Sequence, residues 1–295
     1  MRKQLFEQPS FLPEFNEYSL LSNKKIGMTG HQGVLGRILH SRLLKADLNP
    51  VTFPGDITDN ETLQSWFAEN HFEIFFHFAA VVPVTEVESD PLAAYETNVI
   101  ATYKICKNLV LTSPDCWTFL ASSSHVYAPM PGADVKSISP DSKKRPMNFY
   151  GISKLGGERI AKPVLDKFDI PYCIGRIFSF SHSSQHGKYL VPSLIEKINR
   201  LQPNEPLELV NPNSVRDIMD AESIIDAILH LAKTQYRGVL NIGSGKGRTV
   251  RQIADIVQKH LDTHHPYIEK TFGDPDALVA DISHLKKMFL ESAKM

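Results

Sequence analysis

The chain has 295 residues, 42% apolar and 22% charged, a composition that suits a globular protein with one large domain or two modest ones. Its 32 basic and 33 acidic residues nearly cancel, which removes any electrostatic case for nucleic acid or an anionic membrane as partner. No apolar run reaches the roughly 20 residues of a bilayer span, and three cysteines in no paired or metal-like spacing fit a reduced, cytoplasmic setting without a metal site.

Residues 1–23 lack periodicity and read as an N-terminal arm. From Lys25 to Thr29 a short apolar strand is predicted, then a glycine-rich turn, then a helix on which Val34, Leu35, Ile38, Leu39, Leu43 and Leu44 recur at helical spacing. Further along, strands are predicted at 51–53, 73–78, 117–121 and 172–177, and helices at 61–69, 92–110 and 153–168. Such alternation predicts an α/β fold, a doubly wound parallel sheet of Rossmann type over residues 24–178. The run 179–188, rich in Ser, His and Gly, reads as a loop. Helices at 191–200, 221–232 and 250–260 and strands at 207–210 and 238–242 follow. Segments 179–211 and 244–295 are expected to form a smaller lobe over the sheet's C-terminal edge, with 212–243 returning to the first domain. Ligands of open α/β sheets bind at that edge.

The turn reads Thr29-Gly30-His31-Gln32-Gly33-Val34-Leu35-Gly36. Gly30 permits the tight turn, Gly33 lets backbone approach a pyrophosphate, and Gly36 lets the helix pack closely. With N–H groups at the helix start to hold phosphate, residues 30–36 are expected to bind a dinucleotide. Tyr150 and Lys154 lie four residues apart on one face of a helix. An ammonium beside a phenol favours the phenolate, so the pair is expected to have a lowered tyrosine pKa and to exchange protons with a carbonyl or alcohol.

Together these motifs resemble the extended short-chain dehydrogenase/reductase family of nucleotide-sugar epimerases, dehydratases and ketoreductases. Gly55-Asp56-Ile57 resembles its adenine contact, His77-Phe78-Ala79-Ala80 the cofactor-side end of a strand, and Asn98 its helix asparagine. Ser122-Ser123-Ser124-His125-Val126-Tyr127 resembles its serine segment, Tyr150-Gly151-Ile152-Ser153-Lys154 its Y-x-x-x-K, and Arg216-Asp217 the pair near a substrate diphosphate. Asn241-Ile242-Gly243-Ser244-Gly245 and the later Gly273-Asp274 and Ala280-Asp281 complete the set.

The resemblance implies that Ser123, Tyr150 and Lys154 are catalytic, with Lys154 also on the cofactor ribose and Ala121 among the cofactor contacts. It implies substrate roles for Ser124, His125, His186 and Arg216. His125 either moves a proton at a carbon beside the ketone or binds substrate hydroxyls; His182 and His186 are candidates for an opposite-face partner. Asp56 admits a second reading, as a ligand of an NAD ribose. The preceding strand ends Phe53-Pro54 with no acid, and Arg37 lies either near a 2′-phosphate or on a solvated helix face, so the expectation turns towards NADP(H), with NAD(H) the other possibility. The motifs are closest to nucleotide-sugar 4-ketoreductases such as dTDP-4-dehydrorhamnose reductase and GDP-fucose synthase. The expected activity is therefore reduction of a nucleotide-linked 4-keto-6-deoxy sugar, the alternatives being a 4-epimerase with tightly bound NAD and a non-catalytic cofactor sensor. A homodimer through the helices at 92–110 and 153–168 is a further implication.

Overall fold

In the computed structural model, which describes residues 5–6, 8–82, 84–132 and 136–292, the apolar runs become strands covered on both faces. The first half alternates β1 (Ile26–Thr29), α1 (Val34–Lys45), β2 (Val51–Thr52), α2 (Asn60–Ala68), β3 (Ile74–His77), α3 (Val84–Ser89), α4 (Pro91–Tyr95) and α5 (Thr102–Thr112). It continues through β4 (Trp117–Ser123), β5 (Met130–Pro131), α6 (Phe149–Lys167) and β6 (Tyr172–Ile177). Every residue of β1, β3 and β6 is buried, which is why these strands show no polar–apolar alternation.

The second half holds β7 (Ser179–Ser181), α7 (Leu190–Ile198), β8 (Leu207–Val210), β9 (Val215–Asp220), α8 (Ala221–Thr234) and β10 (Gly238–Ile242). After these come β11 (Gly247–Thr249), α9 (Val250–His260), β12 (Tyr267–Lys270), β13 (Asp276–Leu278) and α10 (Ser283–Ser292). A six-stranded sheet in the order β10-β6-β4-β3-β1-β2 is parallel throughout. This is the doubly wound Rossmann-type arrangement, and its strand order reverses between β1 and β3, where such sheets bind ligands. A second sheet, β11-β9-β13-β5 with β7 beside β9, stands over that edge, and β8 pairs with β12.

Two local expectations change. The helix predicted over 92–110 is broken: α4 and α5 are joined by a π-helical turn, Glu96–Ala101, that contains Asn98. The loop predicted over 179–188 begins with β7, whose three residues are too few to show a period.

The arm packs along the body. Asp226 on α8, buried, accepts from the Phe15 backbone N–H at 2.9 Å and from Arg42 at 2.7 Å. Phe6 is 2% exposed and packs in a cluster with Val191, Leu194, Ile218 and Ile253. No helix among the described residues is long and apolar enough to cross a membrane.

Candidate active site

The glycine turn leaves β1 so tightly that Gly30 adopts φ +73°, and a Cβ there would lie 2.3 Å from the Ala79 nitrogen. It opens into a cleft of about 320 Å³. Gly33, Val34, Leu35 and Gly36 line one wall; Phe78, Ala79, Ala80 and Ala121 line the next, at the ends of β3 and β4. Helices α2, α6, α8 and α9 each begin with a side chain that caps their backbone N–H groups. In contrast α1 has no side-chain cap and no acidic residue in its first turn, so its leading N–H groups face the cleft free to take an anion. That is a fit for a dinucleotide pyrophosphate.

Ser123, Ser124, His125, Tyr150 and Lys154 line the same cleft. The reason is the start of α6, four residues earlier than the predicted 153. Asn148 caps the helix through the Gly151 N–H at 2.8 Å, so Tyr150 falls in its first turn and Lys154 one turn later. A Cβ at Gly151 would sit 2.1 Å from the His125 carbonyl oxygen, so glycine is what lets α6 lie against the serine segment. Gly151→Ala is therefore expected to cost about 1–3 kcal/mol, read from urea unfolding. An unchanged midpoint would show that the two segments separate easily.

The phenol pKa runs opposite to expectation. Burial pushes Tyr150 up to about 12, more than a hydrogen bond with Ser123 pulls it down, and the neighbouring Tyr189 phenol adds to the rise. Burial also holds Lys154 down at about 8, against the attraction of Glu158. Desolvation of both groups outweighs the mutual help predicted from their spacing.

His125 is turned by Asn148, whose amide nitrogen lies 3.0 Å from Nδ1. Because Gly151 occupies the Asn148 oxygen, the amide donates, and the neutral imidazole keeps its proton on Nε2. Burial and nearby Arg216 both lower the His125 pKa, which favours that neutral form.

Beneath Lys154 lies a small cavity of about 20 Å³ lined by His77, Asn98, Thr102, Ser122 and Glu158. Burial drives His77 down to about 3, so it is neutral. Thr102 gives its hydrogen to the Asn98 carbonyl at 2.9 Å and so accepts from His77 Nε2 at 3.0 Å, leaving Nδ1 to accept from Thr29 at 2.7 Å. Asn98 donates to Ser153 at 2.9 Å and accepts from the Val81 N–H at 2.8 Å, tying the segment after β3 to α6. Glu158 accepts from Ser122 at 2.5 Å and from Arg176 at 2.7 Å. Arg176 also donates to Tyr127 at 2.7 Å, and Tyr127 donates to Asn241 at 2.9 Å. Every member of this chain is buried.

Other expected residues lie outside the lining of the cleft. His31 and Gln32 are on the outer side of the turn, where His31 stands 5.8 Å from the His40 ring. Asp56 is exposed and turned onto Thr58 at 2.9 Å, Ile57 is buried in the core beside it, and Arg37 is exposed. His186 is exposed and His182 bonds to Ser184. Lining residues with no sequence signal include Gln185 and Tyr189, from the same segment as the two histidines. Arg216 is half-buried in an ion pair with Asp276 at 2.8 Å.

Among known proteins, the profile of the NAD dependent epimerase/dehydratase family matches residues 26–243. The chain is 25% identical over 256 residues to UDP-glucose 4-epimerase of Halalkalibacterium halodurans, spanning 79% of this chain and 75% of that one. It is 24% identical over 262 residues to UDP-arabinose 4-epimerase 1 of Arabidopsis thaliana, spanning 81% of this chain and 62% of that one. The fold is similar to that of RMD from Pseudomonas aeruginosa complexed with NADPH, with TM-score 0.81 and 20% identity over 90% of this chain and 92% of that one. It is also similar to Thermus thermophilus UDP-glucose 4-epimerase in complex with NAD, with TM-score 0.77 and 18% identity over 89% and 92%. The matched segment takes in the glycine turn, the serine segment and the Tyr150–Lys154 pair, and on it the chain belongs to the NAD dependent epimerase/dehydratase family of extended short-chain dehydrogenase/reductases.

Proposed function

We propose that the protein interconverts the C4 epimers of a nucleotide-diphosphate sugar, using NAD that stays bound. The observation that carries this reading is the meeting of Ser123, Tyr150 and Lys154 in the cleft that the uncapped α1 N-terminus opens into. Reduction of a 4-keto sugar, the activity favoured by the motifs alone, uses the same groups in one direction. It gives way because the curated proteins to which the chain is similar include UDP-glucose and UDP-arabinose 4-epimerases.

The N–H groups of residues 34–36 would hold the pyrophosphate, Phe78, Ala79, Ala80 and Ala121 would flank the rings, and Lys154 would meet ribose hydroxyls. When bound, NAD supplies a hydride acceptor and a positive charge beside the phenol, the change needed to bring Tyr150 down from about 12. Tyr150 takes the proton of the C4 hydroxyl and later returns it. Ser123 donates to the same oxygen and steadies its charge. His125, neutral with a proton on Nε2, orients a neighbouring hydroxyl, and Arg216 receives the phosphates.

The purified protein is expected to carry bound NAD. With UDP-glucose and no added cofactor it should form the C4 epimer, seen by NMR, with no net change in nicotinamide absorbance. Stoichiometric NADPH consumption with a 4-keto sugar, and no epimer formed, overturns the proposal in favour of the reductase.

A further inference from the structure

We propose that the N-terminal arm is a working part of the substrate site: Phe6 holds Arg248 in position to bind, together with Arg216, the phosphate groups of the substrate. The inference rests on the nucleotide-sugar reading above.

Arg248 in β11 stands directly opposite Arg216 in β9, in an antiparallel register that sends both side chains to one face of the sheet. Alternation along β9 puts Ile218 on that same face. Ile218 lines the cleft together with Leu190 and Val191, and it packs in the cluster that holds Phe6. The two arginines and the aromatic ring from the arm therefore share one side of the smaller lobe with Ile218, which lines the cleft.

The Arg248 guanidinium carbon lies 5.5 Å from the centre of the Phe6 ring. That contact holds the guanidinium beside the ring without using any of its N–H groups. Arg248 Nη1 is buried and has no hydrogen-bond partner among the described residues. A buried donor left in that condition is uncommon and costly, and an arriving anion relieves it. Arg216 is ion-paired with Asp276, so the two guanidinium groups there exceed the carboxylate by one positive charge. A forked, planar donor beside a second one matches phosphate oxygens.

The test is calorimetric titration of UDP into the NAD-loaded full chain. Arg248→Gln is expected to weaken UDP binding by about tenfold or more. Phe6→Leu keeps an apolar side chain in the cluster but removes the ring; it should weaken UDP binding roughly threefold to tenfold. Phe6→Trp should restore it, which a purely structural role for Phe6 does not predict. NAD affinity should stay level across the set, while the two Phe6 variants, altered inside a packed cluster, are expected to melt a few degrees lower. If the unaltered protein binds UDP and either Phe6→Leu or Arg248→Gln binds it within about twofold, the arm has no part in the site and the proposed function stands. If the unaltered protein does not bind UDP, the proposed function falls and this inference with it.

Discussion

Tyr150→Phe is expected to lower kcat for C4 interconversion by about 10²–10⁴-fold while NAD stays bound. The substitution removes one oxygen and keeps the ring, which stands 5.3 Å from the His125 ring in an edge-on contact. The cleft wall is therefore preserved and the proton carrier alone is lost. Tyr189 lines the same cleft, where burial and Glu86 hold its phenol above the usual tyrosine pKa. Measuring kcat together with bound nucleotide per chain separates the two effects. Turnover within a few fold of the unaltered protein, with NAD present, would mean that the sugar oxygen gives its proton to some other group.

Lys154→Met should abolish turnover and make the cofactor-stripped protein more stable at neutral pH. Burial holds the folded-state pKa at about 8 against an ordinary 10.5, so the charged amine is a strained guest in the fold. Below pH 8 the amine is protonated in both folded and unfolded chains, and the penalty of burying the charge is fully present. Between pH 8 and 10.5 the folded protein sheds the proton while the unfolded chain keeps it, so the penalty fades; above 10.5 it is gone. Methionine is thus expected to add up to about 3 kcal/mol at pH 7, with the gain vanishing by about pH 10.5, seen in urea unfolding across that range. A loss of stability at pH 7 would mean that Glu158 holds the amine more firmly than burial opposes it.

The parts of the site legible in the sequence are those fixed by local spacing. Gly30 to Gly36 span one turn and the start of one helix, and Tyr150 and Lys154 one turn of another, so short stretches of chain determine how they lie. The parallel sheet was equally plain, because strands covered on both faces leave unbroken apolar runs. What spacing does not carry is which residue of a coil turns inward. Between Ser179 and Tyr189 the histidines drew attention, yet Gln185 and Tyr189 line the cleft. Long-range pairings were hidden for a similar reason. Arg216 meets Asp276, and Glu158 meets Arg176, through a sheet register and a helix docking that no short window contains. The tyrosine pKa was misjudged because proximity of charges can be read from spacing, whereas depth of burial cannot.

The buried relay from Ser122 through Glu158, Arg176 and Tyr127 to Asn241 joins the reactive helix to β10, the border strand of the main sheet. A border strand is hydrogen-bonded along one side only, which leaves fewer bonds to break there. Here, peeling that border away would strip Tyr127 of its acceptor and disturb the ionic anchor under the same helix that presents Tyr150 and Lys154. Fraying at that rim and misalignment of the proton-handling groups are thereby coupled.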